Sequence, residues 1–124
     1  MIVGIGADIA EIARFRRAFE RFGQVFLERI LTPEELAVLP KNPLPYLAGR
    51  FAAKEAAVKA LGTGFSQGIG PRQIRVAHTE EGAPRLIFQG RALEQARRLG
   101  VAHSWISISH ERNYAVAIVV LEGA

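Results

Sequence analysis

The run Phe51-Ala52-Ala53-Lys54-Glu55-Ala56-Ala57-Val58-Lys59-Ala60 constrains the fold more than any other segment of this chain. Alanine loses no side-chain entropy in a helix and is the strongest helix former. The pattern extends from Tyr46 to Leu61 and stops at Gly62-Thr63-Gly64, so a helix over 46–61 is predicted. Its surface carries mostly methyl groups, and other backbone can approach it closely. A chain built on such a helix should lay its other elements directly against it.

Apolar spacing and punctuation supply the remaining elements. Residues 2–9 alternate small and apolar groups and predict a strand. Residues 10–23 predict a helix, with Ile12, Phe15, Phe19 and Phe22 at helical spacing and Gly23 as its stop. Thr32-Pro33-Glu34-Glu35 reads as a helix start: a threonine cap, a proline in the first turn, and a glutamate three residues on that completes a capping box. That helix is short, because Pro40, Pro43 and Pro45 follow, and Leu39–Pro45 reads as a loop. After a glycine-bearing loop at 62–71, residues 72–78 and 84–89 predict two strands about a turn at Glu80-Glu81-Gly82. Residues 90–99 predict a helix that ends at Gly100. Trp105–Ser109 and Tyr114–Leu121 flank Glu111-Arg112-Asn113 as a hairpin. The order β-α-α-α-β-β-α-β-β describes one α+β domain over residues 1–124, with a mainly antiparallel sheet packed against helices.

Composition narrows the class. A length of 124 residues fits one domain, and 49% hydrophobic residues can supply a core. No apolar run approaches the roughly 20 residues of a membrane helix. Met1-Ile2-Val3-Gly4-Ile5 opens on a strand and lacks the features of a signal peptide. The absence of cysteine removes disulfide and thiolate chemistry and suits a cytoplasmic protein. A net charge of +4 points to acidic partners: nucleic acid, anionic lipid, phosphate esters or an acidic protein. The lysines are Lys41, Lys54 and Lys59 alone, and Asp8 is the sole aspartate.

Asp8 ends the first strand. A carboxylate there either caps the following helix or joins a second carboxylate around a cation. Glu55 is the candidate partner; with Lys59 at i+4 it could equally be a surface ion pair. Two carboxylates from separate elements suit Mg²⁺, which keeps several waters and takes its remaining ligands from substrate phosphates. Phosphate binders lie near in sequence: Arg50, Lys54, Lys59, and Gly62-Thr63-Gly64, whose N–H groups could face an anion or simply cap a helix. His110 at a strand end is either structural or a phosphate donor. The spacing of His78, His103 and His110 suggests no zinc site, and no P-loop sequence is present. On the first helix, Arg14, Arg17 and Arg21 fall within about 60° of one another, opposite Phe15, Phe19 and Phe22. That stripe is either a solvated face or a surface for an acidic partner.

Taken together, these segments resemble the holo-acyl-carrier-protein synthase branch of the 4′-phosphopantetheinyl transferases. The resemblance rests on Gly4-Ile5-Gly6-Ala7-Asp8-Ile9 with Glu11-Ile12 and Arg14, on Phe26 with Arg29-Ile30-Leu31-Thr32 and Glu35, and on Ala48-Gly49-Arg50-Phe51-Ala52-Ala53-Lys54-Glu55-Ala56. Lys59-Ala60, Gly62-Thr63-Gly64, Gly82-Ala83-Pro84, Ile106-Ser107-Ile108-Ser109-His110 and Tyr114-Ala115 continue it in family order. The resemblance implies transfer of 4′-phosphopantetheine from coenzyme A to a serine of apo-acyl carrier protein, in fatty acid biosynthesis. It makes Asp8 and Glu55 the Mg²⁺ ligands and sets Lys59 beside the pyrophosphate. It gives Arg50, Gly62, Thr63, Gly64 and His110 to coenzyme A. It directs the helix of Arg14 and Arg21, and by extension Arg17, at the carrier protein. It also implies a homotrimer with active sites between subunits.

One segment departs from the family. Lys41-Asn42-Pro43-Leu44-Pro45 holds a single lysine where relatives often carry several basic residues, so contacts to the adenosine end of the coenzyme must be made differently. In the implied reaction a serine hydroxyl attacks the β-phosphate, and charge on the bridging and leaving oxygens is offset by the cation and Lys59 as adenosine 3′,5′-bisphosphate departs. The base is open between Glu55 through a water, Lys59, and a hydroxide held by the metal. A basic RNA-binding module is the rival reading. It requires exposed aromatics on a sheet face, whereas the aromatics here fall mostly at core spacing.

Overall fold

The computed structural model describes residues 1–124. The long strand β1 (Ile2–Glu11) leads into α1 (Ile12–Phe22), α2 (Gln24–Ile30) and α3 (Pro33–Ala37). The central helix α4 (Pro43–Leu61) follows, then a 3-10 turn at Pro71–Gln73 and the hairpin β2 (Ile74–His78) and β3 (Pro84–Phe88). Helix α5 (Gly90–Arg98) leads to the hairpin β4 (Val101–His110) and β5 (Tyr114–Gly123). The strands form two antiparallel sheets, one of order β1-β5-β4 and one of β2-β3. The α+β class is as the sequence indicates, and one continuous cluster of 25 buried hydrophobic residues makes it a single domain.

Several local readings differ: residues 72 and 73 form a 3-10 turn and not strand, and β4 begins at Val101, four residues before the predicted Trp105. Residues 10 and 11 remain in β1, and α1 starts only at Ile12. Gly23, with φ of 59°, ends α1 but also opens α2, a helix the sequence did not announce. Helix α4 starts at Pro43, because prolines in a first turn give up N–H groups that have no helical partner there. Phe22 lies 55% exposed instead of in the core. The capping box of Thr32 and Glu35 forms as read.

Helix α4 packs on the three-stranded sheet through its alanines; Ala52, Ala53, Ala56 and Ala57 are wholly buried. The strands comply by removing side chains of their own. A Cβ at Gly4 would run into the Ala60 carbonyl, and one at Gly6 into that of Ala56. On β5 the facing residues are Ala115, Ala117, Val119 and Leu121, all buried. The opposite face of this sheet is bare. Ile5, Ile9, Trp105, Tyr114, Val116 and Ile118 are each at least 40% exposed there.

Candidate active site

Asp8 follows Gly4 and Gly6 on the inward side of β1, since strand side chains alternate. It is the first inward position at which a functional side chain is accommodated against α4. Asp8 does not cap α1: the residue before that helix is Glu11, and no side chain bonds the helix start. Side chains on a helix lean toward its N-terminus, so Lys59 reaches back along α4. Its Nζ donates to the Ala7 carbonyl at 3.0 Å and to Asp8 Oδ1 at 3.0 Å. Lys59 thus pairs with Asp8 and not with Glu55, its i−4 neighbour.

Glu55, half-buried, stands one turn before Lys59. Its carboxyl is pushed above the ordinary 4.5, first by burial and then by the charge of Asp8, while Lys59 pulls it down. The two carboxylates are therefore close enough to repel, and a divalent cation would relieve that repulsion. No cluster of three or more acidic, histidine or cysteine groups exists here. This donor set suits Mg²⁺, for which one or two carboxylates suffice when water and phosphate complete the shell.

The structure does not bring the other candidates to this edge. Arg50 lies about 140° around α4 from Glu55. It is 8% exposed, stacks over the Tyr46 ring at 4.0 Å and donates to the His78 ring at 2.9 Å. His110 ends β4, the edge strand opposite β1. Asp8 pairs with Ala117, and Ala117 with Ile108, two residues before His110. Strand spacing then sets the Cα atoms of Asp8 and His110 about 12 Å apart.

Two expectations are corrected. Lys54 cannot bind phosphate, because it is wholly buried; its Nζ contacts Glu35 Oε1 and the Ile30 carbonyl, each at 2.6 Å. Burial lowers its pKa, and the Glu35 charge partly restores it. Glu35 also accepts from the Thr32 and Val76 N–H groups, so this pair ties α2, α3, α4 and β2 together. The N–H groups of Gly62, Thr63 and Gly64 do not face an anion. They donate to the Lys59 and Val58 carbonyls, because the last turn of a helix leaves carbonyls that need donors. The Thr63 hydroxyl donates to the Gly64 carbonyl within the loop at 2.9 Å, so what remains is the loop's position at the end of α4.

On α1, Arg14, Arg17 and Arg21 are exposed, as the stripe required. Arg17 meets Glu11 at 3.7 Å, whereas Arg14 and Arg21 have no acidic partner. Arg14 borders an apolar hollow lined by Phe15, Ala18, Phe26, Ile30 and Phe51. Sequence reasoning missed a larger cleft of about 590 Å³ beside the N-terminal half of α4, lined among others by Tyr46, Arg50, Arg75 and His78. The cue was available in the two basic residues of β2, but strand periodicity alone gives them no common target.

A carboxylate pair and a lysine are gathered where a glycine-lined strand crosses an alanine-rich helix. Residues 4–119 match the 4′-phosphopantetheinyl transferase superfamily, and the chain belongs to that family. Among its relatives, the holo-[acyl-carrier-protein] synthase of Desulfovibrio desulfuricans is 57% identical, over 98% of each chain. The solved structure of the Neisseria meningitidis holo-[acyl-carrier-protein] synthase superimposes with a TM-score of 0.90 at 42% identity, covering 98% of this chain and 99% of the other. That of Helicobacter pylori, in complex with coenzyme A, gives 0.85 at 34%, covering 95% and 99%.

Proposed function

We propose that this chain moves 4′-phosphopantetheine from coenzyme A to a serine of apo-acyl carrier protein, giving holo-acyl carrier protein and adenosine 3′,5′-bisphosphate. The reading places it in the cytoplasm, serving fatty acid biosynthesis. The observation that carries it is the meeting of Asp8, Glu55 and Lys59 at the crossing of β1 and α4. Asp8 and Glu55 are the residues that would hold Mg²⁺, whose charge offsets the negative charge that develops on the phosphate oxygens. Lys59, fixed by the Ala7 carbonyl and Asp8, presents an ammonium to the same pyrophosphate. Thr63 and its glycines border the path of the coenzyme from that edge. Arg14 and Arg21 meet the acidic carrier, with Arg17 the weaker member because Glu11 already engages it.

A homotrimer with active sites between subunits accounts for two further features. The bare sheet face is too apolar to be left in water. Arg50 and His110 lie away from Asp8 within one chain, and in the trimer a neighbouring copy supplies them to the coenzyme held at Asp8. Trp105 and Tyr114, exposed on this face, belong to the same contact and not to a nucleic-acid platform. The test is incubation with coenzyme A, Mg²⁺ and apo-acyl carrier protein. The carrier should gain the mass of one phosphopantetheine, and chelation should stop the gain. An unmodified carrier under saturating conditions would refute the reading.

A further inference from the structure

The ammonium of Lys59 stands where a cation is wanted. Its Nζ donates to Asp8 Oδ1 at 3.0 Å and to the Ala7 carbonyl at 3.0 Å. A carboxylate oxygen and a backbone carbonyl are also ligands that a hard divalent ion takes. This is the one ion pair at the crossing of β1 and α4; Glu55, one turn earlier, has none. The i−4 spacing of Glu55 from Lys59 would have allowed that pair. The lysine turns to the strand instead, where Ala7 offers a second acceptor beside the carboxylate. Lys59 is also the more exposed member of its pair, 49% against 18% for Asp8. It can therefore leave Asp8 without opening the core, and the Asp8 carboxylate stays in place when it does.

We infer that Lys59 is the free protein's own counter-ion at Asp8, which the lysine and a divalent cation hold in turn, and that this exchange couples cation binding to coenzyme binding. This rests on the reading that Asp8 and Glu55 share a cation and that coenzyme A is the donor. A lysine ammonium has three N–H donors and accepts nothing. One donor can stay on the Ala7 carbonyl as a pivot. The donor released from Asp8 then turns to the pyrophosphate, and the carboxylate turns to the ion. In the empty enzyme the ion must displace the lysine and leave that donor without an acceptor. With the coenzyme bound, the same displacement gives a phosphate oxygen its donor. Lys59 therefore holds the ion off the empty enzyme and admits it with the substrate. The coupling is reciprocal, so the ion tightens the coenzyme by the same factor.

The experiment titrates Mn²⁺ into the wild type, Lys59→Met and Lys59→Gln, each with and without saturating coenzyme A, and follows the free ion by electron paramagnetic resonance. No carrier protein is present, so nothing is transferred; melting curves check the fold, and the glutamine amide keeps a donor for the Ala7 carbonyl. In the free protein both variants should bind the ion about five- to tenfold more tightly, the worth of one half-exposed charge-assisted contact. With coenzyme A bound that gain should vanish, so the factor by which the coenzyme tightens the ion falls by the same amount. A gain of equal size in both states would mean that Lys59 only repels the ion from beside the site. No gain in the free protein would mean that it does not compete for Asp8. Either result overturns the inference while the shared cation stands. A wild type that binds no Mn²⁺ in either state would instead remove the reading beneath it.

Discussion

Lys54→Met tests the claim that the lysine nearest Glu55 in sequence is structural. The substitution keeps the aliphatic stem and removes the ammonium. It strands the Glu35 carboxylate, 2% exposed, without its counter-charge, and leaves the Ile30 carbonyl without the donor now at 2.6 Å. Breaking a buried pair from one side costs about 3–5 kcal/mol, against about 5–15 kcal/mol of stability for a whole domain. The Thr32 and Val76 N–H groups still solvate the carboxylate, so the lower half of that range applies. At about 4 °C per kcal/mol for a chain of this size, Tm should fall by about 12–16 °C. Urea unfolding should show a lower midpoint at an unchanged slope. A variant within about 1 kcal/mol of the wild type that nevertheless binds coenzyme A several-fold more weakly would refute the reasoning and return Lys54 to the ligand site.

Further consequences follow from the same geometry. Arg14→Ala and Arg21→Ala should raise KM for the carrier and leave KM for coenzyme A within about twofold, and added salt should mimic them; equal weakening of both substrates would move the stripe to the nucleotide site. Ile118→Asp, in the middle of the bare sheet face, should convert the assembled species to monomer in sedimentation and lower activity with it. An active variant of unchanged mass would show that this face is not the contact. The upward pKa shift of Glu55, from burial and the charge of Asp8, predicts an acid limb in the rate at a higher pH than an unperturbed glutamate would give. Below that pKa the protonated group no longer holds the cation, and activity falls. Proton and metal compete for the carboxylate, so more Mg²⁺ should move the limb to lower pH; a limb indifferent to Mg²⁺ would assign it to another group.

Most of the frame was legible from residues that leave little choice. Alanines announced α4, and the Thr32–Glu35 box announced α3. Helix α2 was not legible: it has seven residues, begins on a glycine that reads as a stop, and has no side-chain cap. Asp8 and Glu55 could be grouped as two carboxylates on segments otherwise small and apolar, whereas the Lys59–Asp8 contact follows only from how β1 packs on α4. Lys54 could not be placed the same way. Its partner Glu35 is 19 residues away on another helix, and only the packed structure shows that both are buried. The loop at Gly62–Gly64 illustrates the opposite error. Its glycines looked free to bind an anion, yet the terminal carbonyls of α4 take their N–H groups first. Arg75 and His78 flank a strand edge, and their common cleft exists only once α3 and α4 pack beside it.

The shared cation at Asp8 and Glu55 is the claim on which the rest depends, and titration with Mn²⁺ followed by electron paramagnetic resonance tests it without catalysis. The wild-type protein should bind one ion per chain. Asp8→Asn and Glu55→Gln should each weaken binding at least tenfold, with no loss in Tm, since neither side chain holds the fold together. Full Mn²⁺ affinity in both variants would contradict the account.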